Sequence, residues 1–209
     1  MAAHVLRLSR DRFEAATRTA LPAANRVFYL LEGALSVDGR RLAVDSAWHG
    51  AGPCTTVAGS PGATVLRWEL VKKDVRTPGK PLLAHDIALD AAASYLMRCD
   101  RVEFDLGAEA LPHRHRGGGI RCLLHGTLEL RVEGEPDRLM KAGEAWFESG
   151  REPVYARASS ATPTSFIRCS ILPREIRGQS SIMYVDPRDA GSKPRRYTVL
   201  VDEPIELPR

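Results

Sequence analysis

Two histidines, His113 and His115, stand one residue apart in Leu111-Pro112-His113-Arg114-His115-Arg116-Gly117-Gly118-Gly119. On an extended strand, residues i and i+2 project from the same face, with Cα atoms about 6.5–7 Å apart. Two imidazoles at that spacing can share one metal ion or line one pocket. Pro112 and the three glycines mark a turn beside them. Arg121 follows Gly119 by two residues and so faces the same way, toward the histidines. A buried guanidinium needs an internal carboxylate, with Glu103 and Glu148 as candidates, or an anionic ligand. Arg157 and Arg168 are further candidates for that anchoring role. Glu148 is also a candidate third metal ligand beside His113 and His115.

The other chemically versatile residues offer less. His125 lies six residues beyond Gly119, about 20 Å along a strand, and reads as a turn residue before Gly126. His49 and His85 have no partner at a useful spacing. The four cysteines, Cys54, Cys99, Cys122 and Cys169, show no CxxC pair and sit in apolar stretches, which reads as buried thiols in a reducing compartment.

The elements that must carry these residues are strands. The 209 residues are 44% hydrophobic and 27% charged, the balance of an ordered globular chain. Segments of five to nine residues rich in Val, Leu, Ile and aromatics recur between Gly, Pro, Asp and Ser, among them 27–31, 34–37, 64–71, 101–106, 120–124, 127–132, 165–172 and 197–201. Short strands at such spacing predict an all-β sandwich or barrel. Residues 9–19 and 86–95 are the two places where a short helix is expected. The strand at 197–201 needs an edge to pair with, on a first barrel or on a second subunit.

The chain also repeats. Arg26-Val-Phe-Tyr-Leu-Leu-Glu-Gly33-Ala-Leu and Gly119-Ile-Arg-Cys-Leu-Leu-His-Gly126-Thr-Leu share Leu-Leu-x-Gly-x-Leu. Ser46-Ala47-Trp48 with Gly52 then matches Glu144-Ala145-Trp146 with Gly150, the second copy carrying a longer hairpin around 133–137. Three landmarks in the same order predict two equivalent β-units joined by a Pro-, Gly- and Lys-rich linker at 72–81.

At these positions the chain resembles the cupin superfamily. In the family's first motif a glycine precedes His-x-His by five residues, a glutamate follows, and a second glycine closes the motif. Here Gly107, His113, His115 and Gly126 keep every spacing, and Gly119 stands where glutamate is expected. The second motif opens at Gly143, and the position of its histidine falls on Pro153. On the first copy the template falls on Ala20 and Pro22 for the two histidines, Arg26 for the glutamate and Thr55 for the motif-two histidine. The resemblance covers about residues 20–172. It implies two cupin-type barrels in tandem (double-stranded β-helix, or jelly roll), with residues 1–80 a first barrel without metal ligands plus linker, 81–172 the barrel with the His-x-His motif, and 173–209 an extension bearing a strand.

Two functional readings follow, and the sequence leaves both open. One is a bicupin that binds a small carboxylate-bearing molecule in the second barrel, through Arg121, Arg157 and Arg168. It would hold a weakly bound divalent metal (Fe, Mn, Ni, Cu or Zn) at His113 and His115, with oxygenase, isomerase or lyase-type chemistry. The other is a ligand-binding or scaffold bicupin that has lost metal-dependent activity. Of the 30 basic residues only five are Lys and 25 are Arg, yet no basic run exceeds two residues and aromatics are 6%, a pattern that argues against nucleic acid. No apolar run approaches a membrane span. The N-terminal residues lack the apolar core of a signal peptide, so a cytoplasmic chain is expected. A homodimer is expected because several strand edges need covering.

Overall fold

The computed structural model describes residues 4–75, 78–192 and 195–208. Strands dominate, and the helical segments among the described residues are two short 3-10 turns, Arg174–Ile176 and Pro187–Gly191. None of them is long and apolar enough to cross a membrane. The chain divides into two compact units, Met1–Met97 with Glu203–Arg209, and Arg98–Asp202.

In the first unit, seven antiparallel strands form one continuous sheet that runs Arg40–Leu42, Asn25–Val37, Cys54–Lys72, His4–Phe13, Leu83–Ile87, with Arg18–Leu21 on Cys54–Lys72 and Ala47–Gly50 on Asn25–Val37. Residues 27–31 and 34–37 are two halves of a single bent strand, whose register shifts on either side of Gly33. Gly33 has φ +84°, and a Cβ there would lie 2.1 Å from the Gly62 carbonyl oxygen, so both the bend and the close approach require glycine. Phe28, Leu30, Leu35, Val37 and Val65 fill the apolar interior.

The second unit carries two five-stranded sheets. One runs Ala145–Glu148, Gly119–His125, Thr164–Pro173, Tyr95–Phe104, Arg195–Ile205, and the other Arg138–Lys141, Thr127–Val132, Val154–Ala158, Glu109–His115, Ile182–Tyr184. Its interior packs Val102, Phe104, Leu128, Leu130, Trp146 and Phe166. The repeat read from the sequence recurs in the pairing. Phe28 opposes Trp48 and Arg67, while Arg121 opposes Trp146 and Arg168. Gly126, φ +73°, takes the bend that Gly33 takes in the first unit.

The structure corrects three expectations. Residues 9–13 belong to the strand His4–Phe13, because Ser9, Asp11 and Phe13 turn inward alternately against Cys54–Lys72, and residues 14–17 are a turn. Residues 88–94 are likewise loop and turn, following the strand that ends at Ile87. The C-terminal strand, expected on an edge of the first barrel or of a second subunit, joins a sheet of the second unit. It lies beside Tyr95–Phe104, at the edge of that sheet.

Candidate functional site

The inward turn of His113 is made by a bulge. Val154 opposes His113 but Ala156 opposes Ala110, so the Glu109–His115 strand carries an extra residue there. Pro112, which has no N–H to donate, sits in that bulge. Ala110, His113 and His115 consequently all face the interior, and both histidines are buried. The bulge also leaves the Leu111 carbonyl free to accept from His113 Nδ1 at 2.7 Å, which fixes the ring and leaves Nε2 without a proton. The His115 ring stands edge-on to it, with centroids 4.9 Å apart.

The glycines that follow answer to close packing. A Cβ on Gly117 would lie 2.2 Å from the Ile171 carbonyl oxygen, and one on Gly119 would lie 2.4 Å from Ser170 Oγ. The strand Thr164–Pro173 therefore leaves no space for a side chain at 119. From the same strand as Gly119, Arg121 enters the interior only 1% exposed. It donates to the Gly119 carbonyl at 2.6 Å and pairs with Glu148 at 2.6 Å. The Trp146 indole N–H donates to the other oxygen of Glu148 at 2.8 Å, and His115 Nε2 faces Oε2 at 3.4 Å. Of the two carboxylates the sequence offered Arg121, Glu148 is the partner, and Glu103 lies 3.7 Å from Arg101 instead.

His113, His115, Arg121, Glu148, Arg168 and Arg195 line one cavity of about 20 Å³, together with Trp146 and apolar neighbours. Arg168 is paired, its Nε and Nη2 donating to the two oxygens of Asp100 at 2.6 and 2.8 Å. Arg195 is not. Its Nε donates to the Tyr197 hydroxyl, but Nη1 and Nη2 are buried with no partner among the described residues. The Tyr197 ring lies 5.5 Å from the Arg168 guanidinium and 5.6 Å from that of Arg195.

These surroundings set the protonation states. Burial, reinforced by the charge of Arg195, pulls His113 down to about 4. Burial pulls His115 down to about 3, with Arg168 and Arg121 adding to the fall and Glu148 opposing it. Both rings are neutral at pH 7. Burial also lowers Arg121, to about 10, against the pull of Glu148. Glu148 is driven up by burial but held well below the usual carboxylate range by Arg121.

The site therefore unites five of the residues singled out in the sequence, His113, His115, Glu148, Arg121 and Arg168. Arg157 is elsewhere: its neighbour Ala156 lines the cavity, so Arg157 faces outward, exposed and paired with Glu129 at 2.8 Å. His125 is exposed at a strand end. Sequence reasoning missed Arg195, Tyr197 and Asp100. A signal existed for the first two, since Arg195 and Tyr197 share one face of a strand whose edge needed a partner.

The donor set does not fit a metal centre built from protein ligands. Only two neutral imidazoles are free to ligate, position 119 admits no side chain, and Glu148 is engaged by Arg121 and Trp146. Three guanidiniums around the same cavity further disfavour a cation. Among the described residues no three His, Cys, Asp or Glu side chains are arranged to hold an ion.

The corresponding interior of the first unit is closed by charge. Arg26, at the position matching Gly119, donates to Glu69 at 2.7 Å, to the Pro22 carbonyl at 2.8 Å and to Cys54 Sγ at 3.1 Å. Arg67, matching Arg168, bonds Glu69 and also Asp11, the latter at 2.6 Å.

Two units of this construction, with the His-x-His strand in the second, define the two-barrel cupin fold. Solved structures of that fold match most of the chain. The oxalate decarboxylase of Lactobacillus farciminis, in complex with formate, aligns with a TM-score of 0.66 at 12% identity, over 91% of this chain and 82% of that one. AerE from Microcystis aeruginosa aligns with a TM-score of 0.60 at 13% identity, over 81% and 88%. A salicylate 1,2-dioxygenase from Pseudaminobacter salicylatoxidans aligns with a TM-score of 0.58 at 10% identity, over 93% and 75%. At such identities the likeness shows the fold alone. No protein-family model matches the chain, and no curated protein matches it.

Proposed function

We propose that the second unit is a binding pocket for a small carboxylate-bearing molecule, held by Arg195. The observation that carries this reading is the pair of buried, unpartnered nitrogens on that guanidinium, since leaving a charged donor desolvated and unpaired is costly unless an anion completes it. Arg121 and Arg168 have internal carboxylates and act instead as the rigid positive frame of the pocket. One of the solved structures with this fold is named for oxalate and is a formate complex, and another is named for salicylate, all of them carboxylates, which agrees with the reading. Calorimetric titration with formate, acetate and chloride at pH 7 tests it. Saturable binding of the two carboxylates, weakened at least tenfold by Arg195→Gln, is expected, and chloride binding as tightly as the carboxylates would overturn it.

A metal-assisted reading has one observation in its favour: His113 is oriented through Nδ1 by a backbone carbonyl, with Nε2 left bare, as metal-bound histidines are. On that reading the two imidazoles would hold a divalent ion weakly, and it would supply oxygenase, isomerase or lyase-type chemistry. Elemental analysis of protein purified without chelator separates the two: metal lost on replacing both His113 and His115 by Ala favours the metal reading. We also propose that the chain works as a homodimer in the cytoplasm. The four buried cysteines form no disulfide among the described residues, which suits a reducing compartment, and light scattering at micromolar concentration tests the dimer.

A further inference from the structure

Resting on the carboxylate reading, we propose that the ligand is a small hydroxylated monocarboxylate: one negative charge for Arg195, and a hydroxyl hydrogen for the imidazole of His113. The charge comes from pairing. Arg121 is matched by Glu148 and Arg168 by Asp100, so the cavity carries one cation in excess, that of Arg195. A dianion would leave one charge unmatched in a site where Glu148 already stands.

The hydroxyl comes from donor and acceptor bookkeeping. His113 gives its Nδ1 proton to the Leu111 carbonyl, so Nε2, on the far edge of the ring, can only accept. His115 has its Nε2 toward the Glu148 carboxylate, which assigns that nitrogen the proton, and its Nδ1 is a second bare acceptor, buried without a partner. A carboxylate satisfies Arg195 but has no hydrogen for either imidazole. A ligand that also carries an O–H supplies a hydrogen to His113, which lines the same cavity as Arg195, and one lacking it supplies none. The space of about 20 Å³ limits the size. A cavity of this size favours a two-carbon acid over a ring.

The test is calorimetric titration of the full chain with four probes at pH 7. Glycolate carries the charge and the hydroxyl. Propionate has the same number of non-hydrogen atoms but no donor, methoxyacetate has an ether oxygen that only accepts, and oxalate adds a second charge. Glycolate is expected to bind at least tenfold more tightly than propionate or methoxyacetate, and oxalate no more tightly than glycolate. In His113→Leu the ratio of glycolate to propionate affinity falls toward one, while propionate affinity stays within threefold. Equal binding of glycolate and propionate by the unaltered chain overturns this inference and leaves the carboxylate reading standing. Oxalate binding more than tenfold above glycolate also overturns it. Failure of all four probes to bind overturns both.

Discussion

Replacing Glu148 by Gln isolates the electrostatics of the second unit in a single atom. The carboxylate is 7% exposed, Arg121 1%, and they meet at 2.6 Å. Breaking a buried pair by neutralising one partner costs about 3–5 kcal/mol, because the remaining charge stays desolvated. The Gln amide oxygen can still accept from Arg121, so the lower end, about 3 kcal/mol, applies here. Urea unfolding followed by tryptophan fluorescence reads it directly, since Trp146 donates to the altered group. The same change leaves two unmatched cations in the cavity, so oxalate should gain on glycolate at least tenfold in Glu148→Gln. Removing the stranded cation as well, in Glu148→Gln with Arg121→Met, should recover most of the lost stability. Should the single variant unfold within 1 kcal/mol of the parent, the buried pair is not what holds this interior, and the charge argument for the ligand falls with it.

Acid should destabilise the second unit over a defined window. Folded His113 and His115 bind protons only near pH 4 and 3, whereas the unfolded rings bind them near 6.5, so stability is retained above 6.5 and falls as the pH drops toward 3. At about 1.4 kcal/mol per pKa unit the loss is several kcal/mol, and His113→Leu should flatten the pH dependence of the unfolding midpoint. Gly119→Glu, which restores the family's glutamate in name, should create no metal site and should destabilise by about 2 kcal/mol or more, because its Cβ meets Ser170 Oγ at 2.4 Å; metal analysis and thermal melting check both. Arg157→Ala should change stability by less than about 0.5 kcal/mol and leave carboxylate binding untouched, since its salt bridge is exposed.

The repeat was legible because its landmarks are backbone necessities. Gly33 and Gly126 occupy the same bend at positive φ, and Trp48 and Trp146 hold the same register against the strand before them. The histidines and Arg121 were legible because period-2 alternation places them on one face, and the bulge at Pro112 preserves that face for His113 and His115. Asp100 was harder to read: it shares the inward face of Val102 and Phe104, yet a charge there looks like solvent exposure until its partner Arg168 is known. Arg195 lies 80 residues beyond His115 in sequence, and only the pairing of the last strand against Tyr95–Phe104 carries it to the cavity. Ser9–Phe13 misled because its charged, weakly apolar residues resemble one turn of an amphipathic helix, whereas Asp11 turns inward to meet Arg67.

The most direct measurement is a crystal structure of the protein soaked with glycolate. The account predicts density for the acid inside the second unit, its carboxylate about 2.8 Å from the terminal nitrogens of Arg195 and its hydroxyl within hydrogen-bond reach of His113 Nε2. A metal ion between His113 and His115, or an acid bound only at Arg157 on the outer face, would contradict it.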